Sequence, residues 1–188
     1  MLTTARLTLR RFQPQDAESV ANLIGDPQVR RYFFRTRDRA ESDAWLVRDQ
    51  AHWDRHGFGM WAVELAADAA FIGFVGLARV GLELPFAPAV KVAWTLAQPF
   101  WGRGYAPEAA RAAMTDGFGR LGLREIVALT AVQNAPSRRV MEKLGMTRDP
   151  AADFDHPAAP AGQVLARHVL YRMVCPRVPG MEDEDALR

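Results

Sequence analysis

Gly102 and Gly104, set just after Pro99 and just before an alanine-rich helical pattern, are the residues best placed for chemistry in this chain. They lie within KVAWTLAQPFWGRGYAPEAARAAMTDGF, Lys91 to Phe118. The glycines allow a tight turn of bare backbone. Tyr105 then opens a helix in which Ala106, Ala109, Ala110, Ala113 and Met114 recur at helical spacing. Unpaired N–H groups at a helix start, backed by the positive end of its dipole, bind phosphate or pyrophosphate. Two other phosphate loops do not fit. A dinucleotide fingerprint needs a third glycine where Pro107 stands and belongs after the first strand, whereas this turn lies past mid-chain. A nucleotide P-loop needs Gly-Lys-Ser/Thr, which the chain lacks. His52 and His56 have the i, i+4 spacing that can chelate zinc, but no HExxH pattern surrounds them and Gly57 follows directly. They read as a solvated helix end, and no metal is expected.

The elements that must position this turn can be read in order. Arg6 to Phe12 alternates as a half-buried strand. Pro14 suits the first turn of a helix with Ala17, Val20, Ala21 and Ile24 on its apolar side and Gly25 as its C-cap. A second helix spans Asp38 to His56 and is capped by Gly57. Between them RRYFFRTRDR, residues 30–39, reads as a solvated connector whose Tyr32, Phe33 and Phe34 pack on the core, or as a surface for RNA or an anionic substrate. Strands follow over Phe58 to Leu65 and Phe71 to Val80, with Gly73 and Gly76 marking a bulge or close backbone contact. After the loop 81–89, residues 91–97 form a strand with Val92, Trp94 and Leu96 on one face. Glu125 to Val132 is a strand buried on both faces. In residues 134–146 Pro136 opens a helix, Val140, Met141 and Leu144 form its apolar side, and Gly145 stops it. A proline-rich loop, 150–163, precedes a last strand from Leu165 to Val174, and Pro176 onward is an acidic tail with the composition of a disordered segment.

At 188 residues and 24% charged, the chain is one domain, residues 1–175, with its own core, followed by the tail. A net charge of +2 gives no strong nucleic-acid footprint. Cys175 is the only cysteine, which excludes an internal disulfide. No run of about 18 apolar residues occurs and no signal-peptide pattern opens the chain, so a cytoplasmic protein, monomer or homodimer, is expected.

The order of elements, together with two segments, resembles the GNAT superfamily of N-acetyltransferases. WGRGYAPEA is similar to its acetyl-CoA turn, Gln/Arg-x-x-Gly-x-Gly/Ala, with Trp101, Gly104 and Ala106 at the first, fourth and sixth positions. NAPSRRVMEKLGM is similar to its second cofactor segment, and the opening TARLTLRRF places the chain near the RimJ/RimL-like branch. The resemblance runs from about Thr4 to Arg172. It implies an α/β (α+β) fold: a mixed, mostly antiparallel sheet of about six to seven strands, splayed between the fourth and fifth, with four main helices. It implies acetyl-CoA as cosubstrate and a primary amine as acceptor, either a protein N-terminus or a small molecule.

The resemblance also assigns residues. Backbone groups from Trp101, Gly102, Arg103, Gly104, Tyr105 and Ala106 hold the pyrophosphate. Those of Trp94, Thr95 and Leu96 pair with the pantetheine arm, and an N–H near Ala93 or Trp94 polarises the thioester. Asn134 bonds the arm or an ordered water, and Ser137 hydrogen-bonds the departing thiolate. Their plainer alternatives are a turn residue and a helix-start residue bonding its own backbone.

One role does not carry over. Several superfamily members have a glutamate base early in the fourth strand, where this chain has Lys91. An ammonium cannot accept a proton unless burial lowers its pKa. The remaining base and acceptor-site candidates are Glu83 in the preceding loop and Phe154, Asp155 and His156 in the loop before the last strand. His168 and Tyr171 read as core or sheet-surface residues. Direct transfer in a ternary complex is expected, since no activated nucleophile is evident. A non-catalytic CoA-binding or sensing module is the rival that Lys91 keeps open.

Overall fold

The computed structural model of the chain describes residues 1–81 and 84–175. Among these, nine strands form one sheet: β1 (Leu2–Thr3), β2 (Leu7–Arg10), β3 (Met60–Leu65), β4 (Phe71–Arg79), β5 (Val90–Leu96), β6 (Glu125–Ala131), β7 (Thr147–Arg148), β8 (Phe154–Asp155) and β9 (Arg167–Val174). The order is β1-β2-β3-β4-β5-β6-β9-β7, with β8 also on β9. Six strands are long; β1, β7 and β8 are two-residue pairings at the margins. Every pairing is antiparallel except β5 with β6, which meet in parallel at one position, Lys91 opposite Val127. The expected splay lies there.

Helices α1 (Asp16–Gly25) and α2 (Arg39–His56) cover one face, and α3 (Tyr105–Gly119) and α4 (Ala135–Leu144) the other. Trp61, Val63, Val92 and Leu96 pack against Ala109, Ala113, Met141 and Leu144 on the α3–α4 side. Met60, Ala62, Phe74 and Ala93 meet Val20, Ile24, Trp45 and Leu46 on the α1–α2 side. A sheet covered twice explains the weak alternation of β3, β4 and β6.

Local signals hold where they are chemically specific. Asp38 and Glu41 form a capping box at the start of α2, and Gly57 closes it in the left-handed region. Gly145, at φ 85°, closes α4. Gly73, at φ 144°, sits at a register shift between β3 and β4, and a Cβ there would strike the Thr95 carbonyl. Gly25 differs from expectation. It ends α1 in helical conformation, and the next residue, Asp26, turns extended as the cap.

Arg10 fastens α1 to the sheet. Its guanidinium reaches Asp16 at 2.7 Å and Glu64 at 2.5 Å, with Asp16 fully buried. Burial pushes the Asp16 carboxyl up, but bonds from Arg10 and the Gln13 N–H outweigh it and hold its pKa below the usual range. Arg10→Met strands both carboxylates without their cation and costs about 3–5 kcal/mol of stability. Urea unfolding measures this, and a loss below about 1 kcal/mol would show that the pair does not fasten the helix.

Candidate active site

The glycine turn is a row of unused donors. Gly102 and Gly104 take φ values of 74° and 82°, and Trp101 N–H closes a short helical turn on Gln98. Among the described residues, no N–H from Gly102 through Ala106 has a protein partner, and Pro107 has none to give. The first helical bond runs from Glu108 N–H to the Gly104 carbonyl at 3.3 Å. A Cβ at Gly102 would meet nothing within 4 Å, so the cradle is open. Five donors at the positive end of a 15-residue helix fit a pyrophosphate.

The turn is braced from the chain's start. Arg6 donates to the Arg103 carbonyl at 3.0 Å and to Glu108 at 2.7 Å, and its guanidinium lies 4.6 Å from the Tyr105 ring centroid. Thr4 also donates to Glu108. The Trp101 indole N–H donates to the Leu96 carbonyl at 2.7 Å and ties the turn to the end of β5.

The ladder decides what β5 can offer. Val80 N–H bonds the Ala89 carbonyl and Ala97 N–H the Ile72 carbonyl, on the same diagonal as the Ala93–Gly76 and Thr95–Phe74 pairs. Odd-numbered residues of β5 therefore turn their backbone groups toward β4, and Val92, Trp94 and Leu96 turn theirs toward β6. Beyond Lys91–Val127 that edge faces a gap. Trp94 has both backbone groups there and Leu96 has its N–H, its carbonyl being held by Trp101. Thr95 corrects the sequence expectation, because its backbone groups are spent on Phe74 and cannot pair across the gap. For the same reason the N–H available to polarise a carbonyl is that of Trp94, not of Ala93.

Across the gap, Asn134 caps α4. Its Oδ1 accepts the Ser137 N–H at 3.2 Å, and its Nδ2 donates to Thr130 Oγ1 at 2.9 Å and to Ser137 Oγ at 3.0 Å. The buried Asn134 is thus fully engaged as a cap. Ser137 Oγ, having accepted from Asn134, keeps its own proton free to donate outward.

On the α1–α2 side four segments converge. Phe34 from the α1–α2 connector stacks edge-on to His156 at 5.2 Å between centroids and lies 6.1 Å from His168. Phe86 from the β4–β5 loop meets Phe154 at 5.4 Å, and Phe154 meets His168 at 5.6 Å. The two imidazoles are 4.9 Å apart. Their tautomers are fixed by backbone. His168 Nδ1 lies 3.0 Å from the Ala166 carbonyl, which only accepts, so Nδ1 carries the proton and Nε2 a lone pair. His156 Nδ1 accepts the Ala158 N–H at 3.2 Å, so its proton sits on Nε2. Burial, then His168 and Lys91, lower the His156 pKa. Burial lowers that of His168 against a smaller opposing effect of the Ala166 carbonyl, and Lys91 lowers it further. Both imidazoles stay neutral at pH 7.

Lys91 is half-buried beside this cluster, and burial lowers its pKa. Among the described residues its Nζ has no hydrogen-bond or ion-pair partner, and its charge acts on His156 and His168. Asp155 is at the rim, 73% exposed and 3.5 Å from Arg167. Glu83 lies outside the described residues, as does the tail expected from Pro176.

The structure thus brings Trp94, Leu96, the 101–106 turn, Asn134 and Ser137 to the split from the α3–α4 face of the sheet, and Phe154 and His156 to it from the α1–α2 face. It adds Arg6, Phe34, Phe86 and His168, which sequence reading missed. Alternation along a strand cannot show that His168 faces a histidine from a loop, and nothing local marks Phe34 apart from Phe33, which is 41% exposed under Arg30. Of the basic connector, Arg35 pairs with Glu41 and Arg39 with Asp43. His52 is spent on the Phe58 carbonyl and the Arg79 N–H. Among the described residues no group of three or more His, Cys, Asp or Glu could hold a metal, and no helix is long and apolar enough to cross a membrane.

A helix start stripped of partners, beside a sheet opened along its one parallel edge, is the arrangement that the resemblance to the N-acetyltransferases implies for their cosubstrate. The model of the acetyltransferase (GNAT) domain family matches residues 6–147. The chain is 30% identical over 146 residues to YkkB of Bacillus subtilis strain 168, covering 77% of this chain and 84% of that protein. It is 28% identical over 148 residues to the uncharacterized N-acetyltransferase YnaD of the same organism, covering 79% and 83%. The crystal structure of an acetyltransferase from Agrobacterium tumefaciens str. C58 is similar at a TM-score of 0.74 and 28% identity, covering 92% of each chain. The chain belongs to the GNAT family of acetyltransferases, and its class of activity is N-acetyl transfer.

Proposed function

We propose that this protein transfers acetyl from acetyl-CoA to a primary amine in a single ternary complex, in the cytoplasm. The observation that carries the reading is the row of five unpartnered N–H groups, Gly102 to Ala106, opening beside the β5–β6 gap. Acetyl-CoA supplies an activated acetyl group, which passes to the acceptor nitrogen as a C–N bond forms and the C–S bond breaks.

The chain's own groups do the rest. The 101–106 turn holds the pyrophosphate, and the β6-facing backbone of Trp94 and Leu96 pairs with the arm. Trp94 N–H stabilises charge on the carbonyl oxygen. His168 Nε2, with its lone pair free, takes the proton leaving the amine. His156 has its Nδ1 lone pair occupied and its Nε2 already protonated, so it serves as a donor and positions the acceptor. Ser137 hydrogen-bonds the departing sulfur, which leaves as the thiolate and takes its proton from solvent, as His168 returns the amine's proton to solvent. A Lys91 ammonium is not required as base. The TARLTLRRF segment has a task of its own in this reading, since Thr4 and Arg6 brace the turn; this supports a place near the RimJ/RimL-like branch.

A panel of amines and N-terminal peptides, assayed for CoA thiol release and acetylated product, tests the reading. Turnover of at least one class is expected. Tight CoA binding with no turnover across the panel would favour a CoA-sensing module, and a stable acetyl-protein formed from acetyl-CoA alone would overturn direct transfer. Ser137→Ala lowers kcat about 100-fold, the scale of one hydrogen-bond donor aimed at charge that develops in the transition state, with little change in CoA affinity. An unaltered kcat removes its role.

A further inference from the structure

The acceptor side of this site has a chemistry of its own. It is built of rings from three separate segments, Phe34, Phe86 and Phe154, packed against two neutral imidazoles. Lys91, at the β5–β6 pairing where the gap begins, shares the sheet face of Ala93 and His168. It is half-buried, and no described carboxylate faces it. The adjoining connector is also rich in cations. Arg30 is half-buried without a described carboxylate partner, and burial together with repulsion from Arg37 and Arg35 pushes it down to about 10, whereas Arg37 has Glu41 near it. Asp155, between Phe154 and His156 in the chain, is exposed and turned onto Arg167.

A site for a polycationic amine would need the opposite arrangement. A desolvated cation with no counter-charge is costly until an anion arrives to pair with it. We infer that the acceptor is an amine bearing its own carboxylate and a flat apolar body, an aromatic amino acid or close analogue. Lys91 Nζ holds the carboxylate, the three phenyl rings enclose the body, and the amine lies toward His168 Nε2. An α-amino acid keeps its nitrogen and carboxylate close enough for one cleft to serve both. This inference rests on the acetyltransferase reading for the role of the cleft, but it predicts binding that does not depend on turnover.

The test is calorimetric titration of the CoA-loaded protein with phenylalanine, phenethylamine, phenylalaninamide and spermidine. Phenylalanine is expected to bind about 10- to 100-fold more tightly than phenethylamine, the scale of a hydrogen bond to a charged group. Phenylalaninamide stands for a peptide N-terminus and is expected to follow phenethylamine; spermidine is expected to bind most weakly. Lys91→Met closes the gap between phenylalanine and phenethylamine, and Lys91→Arg keeps it. Equal affinity for phenylalanine and phenylalaninamide, or a preference for spermidine, overturns the inference. So does a gap that survives Lys91→Met, or one that Glu83→Gln abolishes. If the binding order holds while no amine is acetylated, the acceptor chemistry stands and the transferase reading falls. If turnover occurs without the order, the reverse is true.

Discussion

Gly104→Val reduces affinity for acetyl-CoA by about 100-fold or more, read by titration with CoA and with dephospho-CoA. At φ 82° a β-branched residue is strained by roughly 1–3 kcal/mol. Relief comes only by rotating the Arg103–Gly104 and Gly104–Tyr105 peptides, which carry two of the five free donors. The nearest atom to a Cβ is Arg6 Nη2 at 3.4 Å, so the same change presses on the brace that holds the Arg103 carbonyl. Both cofactor forms lose affinity alike, because both carry the pyrophosphate. Affinity within about threefold of the parent would refute the assignment of the turn.

His168→Gln lowers kcat by about 10²- to 10⁴-fold, the usual worth of a positioned base, while CoA binding persists. The pH profile separates a base from a structural residue. Burial and the Lys91 charge lower the His168 pKa, so its neutral form persists below the ordinary imidazole value of about 6.5. The acid limb of kcat therefore lies below that value, and activity is lost as pH falls through it. The groups facing His168 are His156 and Phe154 from the loop before β9, Phe34 from the connector and Lys91 from β5. Of these, His156 is the one other imidazole, and Lys91, whose pKa burial also lowers, is the one ammonium. His156→Gln keeps the limb and His168→Gln abolishes it. A limb that vanishes with His156 instead would move the base to the loop.

Much of this was legible in the chain because the signals were local. Gly104, Gly145 and the 134–146 helix could be read off directly, since positive φ, a proline at the start and an apolar stripe are properties of a few neighbouring residues. Gly25 misled because glycine permits a left-handed cap without compelling one, and Asp26 could leave the helix in an extended conformation instead. Thr95 misled for a deeper reason. A pattern of side chains gives the two faces of a strand but not which edge its peptide groups address, and that is fixed only by the partner's register. His168, Phe34 and Phe86 were invisible as a group because 134 residues of chain separate the first from the last of them and no periodicity spans such a distance. The basic connector was ambiguous on charge alone. Its arginines divide into those with carboxylates and those without only once the fold is known.

The alternation in β5 fixes what can vary in this protein's descendants. Its even residues lend backbone to the cofactor gap, while odd Lys91 lends its side chain to the acceptor cleft. Losing or gaining one residue inside the strand would exchange both phases at once, and no single substitution would restore them. A change of length anywhere in the seven residues from Val90 to Leu96 would therefore disturb both roles together.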